Sequence, residues 1–309
     1  MVNINGLTTE TVNEATKHID TMSALEIARI INSEDKKVAD AIEPELPRIA
    51  AAIDVIAERF VKGGRLIYCG AGSSGRMGVL DAVELTPTYS VSPDRAFGVM
   101  AGGDKAMYVA VEGAEDSAEL AAEDMDRIAL TAADCLIGIA ASGRTPYTIA
   151  ALEYGKKAGA ATIAITCNQA SEMAGIADIS IAPVVGAEVI SGSTRMKAGT
   201  AQKMIANMLS TGAMIRAGKV YQNYMVHMQP TNEKLAVRAV RMLSDITGVP
   251  SEQARQALAE SGDDVAVAIV MIEEQCSREE AGAALTTVGG NVRKAIALLE
   301  NERIEKTNG

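Results

Sequence analysis

The side chains in this chain with chemistry to offer are two serine–glycine stretches and a few carboxylates. Ser73 and Ser74 lie in Gly70-Ala71-Gly72-Ser73-Ser74-Gly75, and Ser142 and Thr145 in Ser142-Gly143-Arg144-Thr145-Pro146. Hydroxyls combined with backbone N–H groups at the start of a helix hold an anion, and the obvious anion is a phosphate. Glu84, just before Pro87, could move protons, as could Glu112, Glu115 and Asp116, which flank Gly113. Spacing alone does not choose among these four. Acids in a first helical turn also favour the helix dipole, which is a sufficient reason for Glu115 to be there.

The elements that must position these groups can be read from short apolar runs. Leu66-Ile67-Tyr68-Cys69 has the pattern of a buried strand, and a helix is expected after its glycine-rich loop with Ser73 or Ser74 as N-cap. Cys135 to Ala141 is a second such run. After it Thr145 reads as N-cap and Pro146 as the first helical residue, where a missing N–H costs nothing. Gly70-x-Gly72-x-x-Gly75 also matches a dinucleotide fingerprint, with Asp94 about 20 residues on. Asp94 sits in a Ser-Pro-Asp-Arg turn before the next strand, not at that strand's end, where a ribose would be met. Two Ser-Gly-Arg loops suit a compact monophosphate better than a pyrophosphate.

Strands are expected near 66–69, 96–100, 135–140, 162–166 and 179–183. Helices are expected near 75–86, 104–112, 115–129, 146–158 and 171–175. The alternation predicts an α/β fold: a five-stranded parallel, flavodoxin-like three-layer sandwich. With strand order 2-1-3-4-5, the two serine loops leave neighbouring strands, at the crevice where open α/β sheets bind ligands. Residues 1–64 read as N-terminal helices packing on the core or on a dimer partner, with a capping box at Ser23-Ala-Leu-Glu26 and an apolar stripe of Ile49, Ile53, Ile56 and Phe60. A single α/β domain carrying both serine loops is expected over 65–240. Within it, Ser191 and Ser193 belong to a third hydroxyl-rich turn that leads into a long helix through Lys203, Asn207 and Arg216. From 241 to 309 a helical repeat, a small all-α, UBA-like domain, is expected: Ala254, Leu258, Gly262, Val265, Ala268 and Ile269 recur 27 positions on as Ala281, Leu285, Gly289, Val292, Ala295 and Ile296.

Bulk composition excludes several classes. The 309 residues carry a net charge of −11, which argues against a nucleic-acid partner and requires any phosphate to be held by local donors. No Trp and two Phe leave little for base stacking or sugar platforms. No apolar run approaches the ~20 residues of a membrane span, and the N-terminus lacks a basic stretch before an apolar core. Cys69, Cys135 and Cys167 fall in or at the end of strand-like runs and read as small buried hydrophobes. With two histidines, His18 and His227, and no CxxC, no catalytic metal is expected, and a cytoplasmic location fits.

Five stretches, in order, carry a resemblance: GAGSSGRMGVLDAVELTPTY, VEGAEDS, SGRTPY, SGSTRMKAGTAQK and NYMVHMQPTNEKL. Together they closely resemble the N-acetylmuramic acid 6-phosphate etherases, a family of the sugar-isomerase phosphosugar-binding proteins. A milder likeness is to the glucokinase regulatory protein. The resemblance covers nearly the whole chain. It implies cleavage of a C3 lactyl ether in a homodimeric, cofactor-free, cytoplasmic lyase, with 65–240 as its phosphosugar-binding catalytic domain. Glu84 and Glu115 match the family's two catalytic acids, with Glu115 as the base at C2 and Glu84 as the acid at C3. A proton donor near neutrality needs a raised pKa, so Glu84 is expected to be buried or beside a charge. Ser73, Ser74, Ser142 and Thr145 are assigned to the phosphate, with Ser191 and Ser193 as further substrate contacts. Substrate contact by Arg76, Arg144, Lys197 or His227 stays open, His227 not being expected to act in catalysis. An aldose–ketose phosphosugar isomerase and a non-catalytic sugar-phosphate sensor are the alternative readings. The isomerase also removes a C2 proton but has no leaving group to protonate.

Overall fold

A computed structural model describes residues 11–228 and 233–308. The first ten residues of the N-terminal segment and residues 229–232 of the NYMVHMQPTNEKL run lie outside the described residues. Five parallel strands, β1 (Leu66–Gly70), β2 (Ala96–Met100), β3 (Cys135–Ile139), β4 (Ala161–Ile165) and β5 (Ile179–Ile181), form one sheet in the order β2-β1-β3-β4-β5. This is the expected doubly wound arrangement. Every residue of β1, β3 and β4 is buried, as continuous apolar strands covered on both faces must be.

Among the described residues three α-helices precede the sheet: α1 (Ala24–Asp35), α2 (Lys37–Ile42) and α3 (Leu46–Val61). The capping box at α1 forms, with the Glu26 N–H donating to Ser23 Oγ at 3.4 Å and the Ser23 N–H to Glu26 Oε2 at 2.8 Å. The stripe on α3 is buried at Ile49, Ile56 and Phe60. Crossovers and flanks are α4 (Gly72–Tyr89), α5 (Ala118–Arg127), α6 (Pro146–Lys157), α7 (Glu172–Ile176) and α8 (Lys197–Arg216). Side chains alternate across β1. Ile67 and Cys69 join a core of Met125, Tyr147 and Ala151 from α5 and α6, whereas the Tyr68 hydroxyl reaches Asp81 of α4 at 2.6 Å. Burial pushes the thiols of Cys69, Cys135 and Cys167 up to about 12, so all three behave as inert core residues.

Helix over 104–112 is not observed. Only a 3-10 turn, Asp104–Met107, forms. Tyr108 and Val109 are 91% and 55% exposed, so a helix here would bury no apolar face, and its valines disfavour helical χ1. The helix expected at 115–129 begins later, at α5, after a 3-10 turn at Ala114–Asp116; Ser117 caps α5 through a bond from the Leu120 N–H at 3.1 Å.

Five further helices, α9 (Glu233–Thr247), α10 (Ser251–Ser261), α11 (Val265–Glu274), α12 (Arg278–Thr287) and α13 (Val292–Asn308), complete the described chain after one short isolated bridge at Tyr221 and Tyr224. The chain separates into two compact units: one up to Val83 and from Pro93 to Ala213, the other Glu84–Ser92 with Met214 onward. In the second unit the sequence repeat is structural. Gly262 and Gly289 take left-handed φ values of 74° and 66° between paired helices, and Ala254, Leu258, Val265, Ala281, Leu285, Val292 and Ala295 are buried in one cluster. Among the described residues no helix is long and apolar enough to cross a membrane.

One buried ion pair locks α1 to α8. Lys197, 2% exposed, donates from Nζ to Glu34 Oε2 at 2.6 Å, and Lys37 donates to the other oxygen at 2.6 Å. Burial alone would raise the Glu34 pKa; the two lysines outweigh it and hold it at about 2, against an ordinary 4.5. A depressed folded pKa contributes stability that is present above the ordinary value and lost as pH falls toward the folded one. E34Q, which strands a buried ammonium, is expected to lower stability at pH 7 by about 3 kcal/mol. Urea unfolding at a series of pH values should also show that the variant loses the Glu34 contribution to acid destabilisation between about pH 5 and 2.

Candidate active site

Two loops leave the carboxyl ends of adjacent strands. The β1–β3 register pairs Gly70 with Ile139, so the Ala71–Gly75 and Ala140–Thr145 segments start side by side. Helix α4 begins at Gly72, earlier than expected, and Ser73 and Ser74 therefore lie inside its first turn instead of capping it. Both are half-buried, and their hydroxyls share that turn with backbone N–H groups that have no partner within the helix. A Cβ on Gly75 would stand 2.6 Å from the Gly70 carbonyl oxygen, so the third glycine of the pattern serves close helix–strand packing. Asp94 lies in an exposed turn before β2, away from a strand end.

The second loop is tighter. Gly143 has φ +67°, and its N–H donates to the Ala140 carbonyl at 3.1 Å while its carbonyl accepts from the Met173 N–H at 3.1 Å. Ser142 Oγ accepts from the Arg144 N–H at 3.2 Å, which leaves its own O–H as a donor for a ligand. Thr145 is the N-cap of α6 and Pro146 its first residue, as expected; the Thr145 side chain makes no capping bond. Asn168 braces the loop by donating from Nδ2 to the Ala141 carbonyl at 3.0 Å.

Glu115 occupies the exposed turn before α5. With Ala71, Gly72, Arg76 and Glu112 it lines a cleft of about 190 Å³ that begins at the first serine loop. Arg76 is turned toward backbone, not solvent: Nε donates to the Met107 carbonyl at 3.1 Å and Nη2 to the Ala106 carbonyl at 2.7 Å. Arg144 lines a different cleft of about 780 Å³ with Pro146, Glu153, Ser171 and Glu172. Ser191 is exposed and Ser193 half-buried in the loop between Glu188 and Lys197. Glu188, fully buried, closes that loop by accepting from the Lys197 and Ala198 N–H groups at 3.0 and 2.9 Å.

Two residues left open by the sequence find partners here, and one expectation changes. Lys197, whose contact with substrate the sequence left open, is committed to Glu34 in the core. His227, half-buried, has Nε2 2.9 Å from the Gly290 carbonyl; a carbonyl only accepts, so Nε2 carries the proton. Burial, followed by the Lys219 charge, lowers its pKa and keeps it neutral, in a structural role within the second unit. Glu84, on the last third of α4 and assigned to that second unit, is exposed, not buried as its expected role as a proton donor requires. Sequence reasoning missed the Asp81 carboxylate, which accepts from Tyr68 Oη at 2.6 Å, Asn207 Nδ2 at 2.6 Å and Ser210 Oγ at 3.1 Å and so ties α4 to both β1 and α8. An acid three positions before Glu84 in an otherwise apolar stretch was the available signal.

Order of strands and the paired serine loops at a topological switch point define a doubly wound α/β domain of the SIS type. Family models agree: one described as the glucokinase regulatory protein N-terminal SIS domain matches residues 48–156, and one described as the SIS domain matches 115–212. The chain is 59% identical to N-acetylmuramic acid 6-phosphate etherase 1 of Enterococcus faecalis over 96% of its own length and 99% of that protein's. It is 52% identical to the etherase of Clostridium beijerinckii, covering 97% and 99%, and 53% identical to that of Lactobacillus gasseri, covering 95% and 99%. The chain belongs to the N-acetylmuramic acid 6-phosphate etherase family.

Gly143 tests how far the second loop depends on its left-handed residue. A Cβ there would meet Ser171 Cβ at 2.3 Å and Oγ at 2.4 Å. G143A is expected to cost about 2 kcal/mol, measured as a lowered urea midpoint, because backbone strain and a side-chain clash coincide.

Proposed function

We propose that this protein cleaves the C3 lactyl ether of N-acetylmuramic acid 6-phosphate, giving N-acetylglucosamine 6-phosphate and D-lactate. The observation that carries the reading is the position of a carboxylate, Glu115, in the cleft that opens at the first of two adjoining anion-binding loops. Ser73, Ser74, Ser142 and Thr145 hold the 6-phosphate through hydroxyls and helix-start N–H groups. Ser191 and Ser193 contribute further polar contacts to the sugar.

An ether oxygen is a poor leaving group, and the chemistry follows from that. In the open-chain sugar the C1 aldehyde acidifies the C2 proton. Glu115 removes it, the C3–O bond breaks, and Glu84 protonates the departing lactate oxygen. Glu84, now a carboxylate, takes a proton from water as that water's oxygen adds to C3, and C2 regains its proton from Glu115. One water is consumed and no electrons change hands, so the reaction needs no redox cofactor. Each general acid–base step contributes roughly 10²–10⁴-fold. Glu84 is exposed in the single chain, and bound substrate or a second copy of the chain would enclose it. Such a copy is supported by apolar side chains left at the surface: Leu25 and Val61 on the N-terminal helices and Leu80 and Val83 on α4. A cytoplasmic homodimer is the assembly that fits this reading.

Turnover in water enriched in ¹⁸O tests the reaction directly. Label is expected at the sugar C3 oxygen and not in lactate, read by mass spectrometry of both products. Label in lactate, or no lactate at all from a protein that binds the sugar phosphate, would overturn the proposal and favour the sensor reading. E84Q is expected to reduce lactate release at least 10²-fold while C2 hydrogen exchange with solvent persists, and E115Q to abolish both. An isomerase would give C2 exchange with conversion to a ketose instead.

A further inference from the structure

The sequence leaves Arg76 between ligand and solvent, and the structure gives it a third destination. It stands at the start of the second turn of α4, one turn beyond Ser73. From there its guanidinium reaches the last two carbonyls of the Asp104–Met107 turn, Ala106 at 2.7 Å and Met107 at 3.1 Å. A cation at the carbonyl end of a helical turn meets partners that the turn itself leaves unsatisfied. The chain then runs through Tyr108 to Val111, all exposed, before Gly113 at φ +74° turns it into the segment bearing Glu115. That stretch has no helix of its own to hold its shape. It is held at the neck, where the Val111 side chain lies against Gly102, and upstream by Arg76. Downstream the Glu115 turn runs into α5, capped by Ser117 and packed on α6.

We propose that Arg76 is the positioning residue for Glu115: its two bonds to the Ala106 and Met107 carbonyls staple the loop that carries the base to the helix whose first turn anchors the phosphate. Arg76 and Glu115 line the same cleft, so the staple sets the reach from the phosphate site to C2 of the sugar. A planar guanidinium can bond two adjacent carbonyls with fixed geometry, which an ammonium does less rigidly. A base displaced by about 1 Å loses on the order of 10²-fold in rate, whereas phosphate affinity, held by Ser73, Ser74 and the second loop, is untouched. The inference rests on the reading of Glu115 as the base.

The test compares wild type, R76M, R76K and E115Q in C2 hydrogen exchange in deuterated water, in lactate release from N-acetylmuramic acid 6-phosphate, and in affinity for inorganic phosphate. R76M is expected to lower kcat and C2 exchange together by 10- to 100-fold, with KM and phosphate affinity within about twofold of wild type. R76K, which keeps a donor to the carbonyls, should recover part of the loss. G102A provides a second route to the same displacement without touching Arg76, since φ there is +88° and its Cβ would lie 2.8 Å from Val111 Cβ. It should reproduce the kcat loss, and with R76K it carries the test if R76M does not fold. Unchanged kcat in R76M and G102A, or a rise in KM and loss of phosphate affinity with kcat intact, overturns the positioning role and leaves the base assignment standing. Continued C2 exchange in E115Q overturns the base assignment, and the positioning role with it.

Discussion

The parallel pairing of β1 with β3 is the constraint on which the site depends. With Gly70 opposite Ile139, two chain segments leave the sheet at the same edge, about 5 Å apart. Crossovers between parallel strands are right-handed, so the chain must depart in opposite directions from there, α4 toward β2 and α6 toward β4. The helix starts, with their unpaired N–H groups, are thereby brought to one crevice. On the proposed reading, a chain of net charge −11 needs no general positive field to hold a phosphate, because the donors are backbone groups and hydroxyls fixed by the fold.

A core made largely of aliphatic residues supplies burial but little orientation. Orientation comes from a few buried polar groups, each fully engaged. Asp81 gathers Tyr68, Asn207 and Ser210, and Asp124 accepts from Tyr147 at 2.6 Å. Burial, reinforced by the facing carboxylate, raises both phenols well above their ordinary range, so they remain donors at any physiological pH. Glu188 and the Lys197–Glu34 pair set the start of α8 in the same manner. Such groups cost desolvation and give it back only in one arrangement of the helices.

The second unit follows simpler rules. Two copies of a helix, glycine turn and helix motif bury their small and branched residues against each other, and His227 adds a neutral bond to the glycine pair at 289–290. Glu84, on α4, falls in this unit.

Strands, serine loops, the Thr145 cap, the Ser23–Glu26 box and the helical repeat were legible in the sequence, because each is specified within a few residues by apolar period, cap chemistry or glycine. The expected helix over 104–112 failed for the complementary reason: a local pattern was present, and no tertiary surface buried it. The long basic side chains were not legible at all. Lys197 finds Glu34 163 positions away, and Arg76 finds carbonyls 30 and 31 positions on, so neither partner can be inferred from neighbours in the chain. Short-range steric and hydrogen-bond preferences determined the elements and the anion loops. Only the folded chain decided which charges face one another, because that depends on where the sheet carries distant segments and on the cost of leaving a buried charge unpaired.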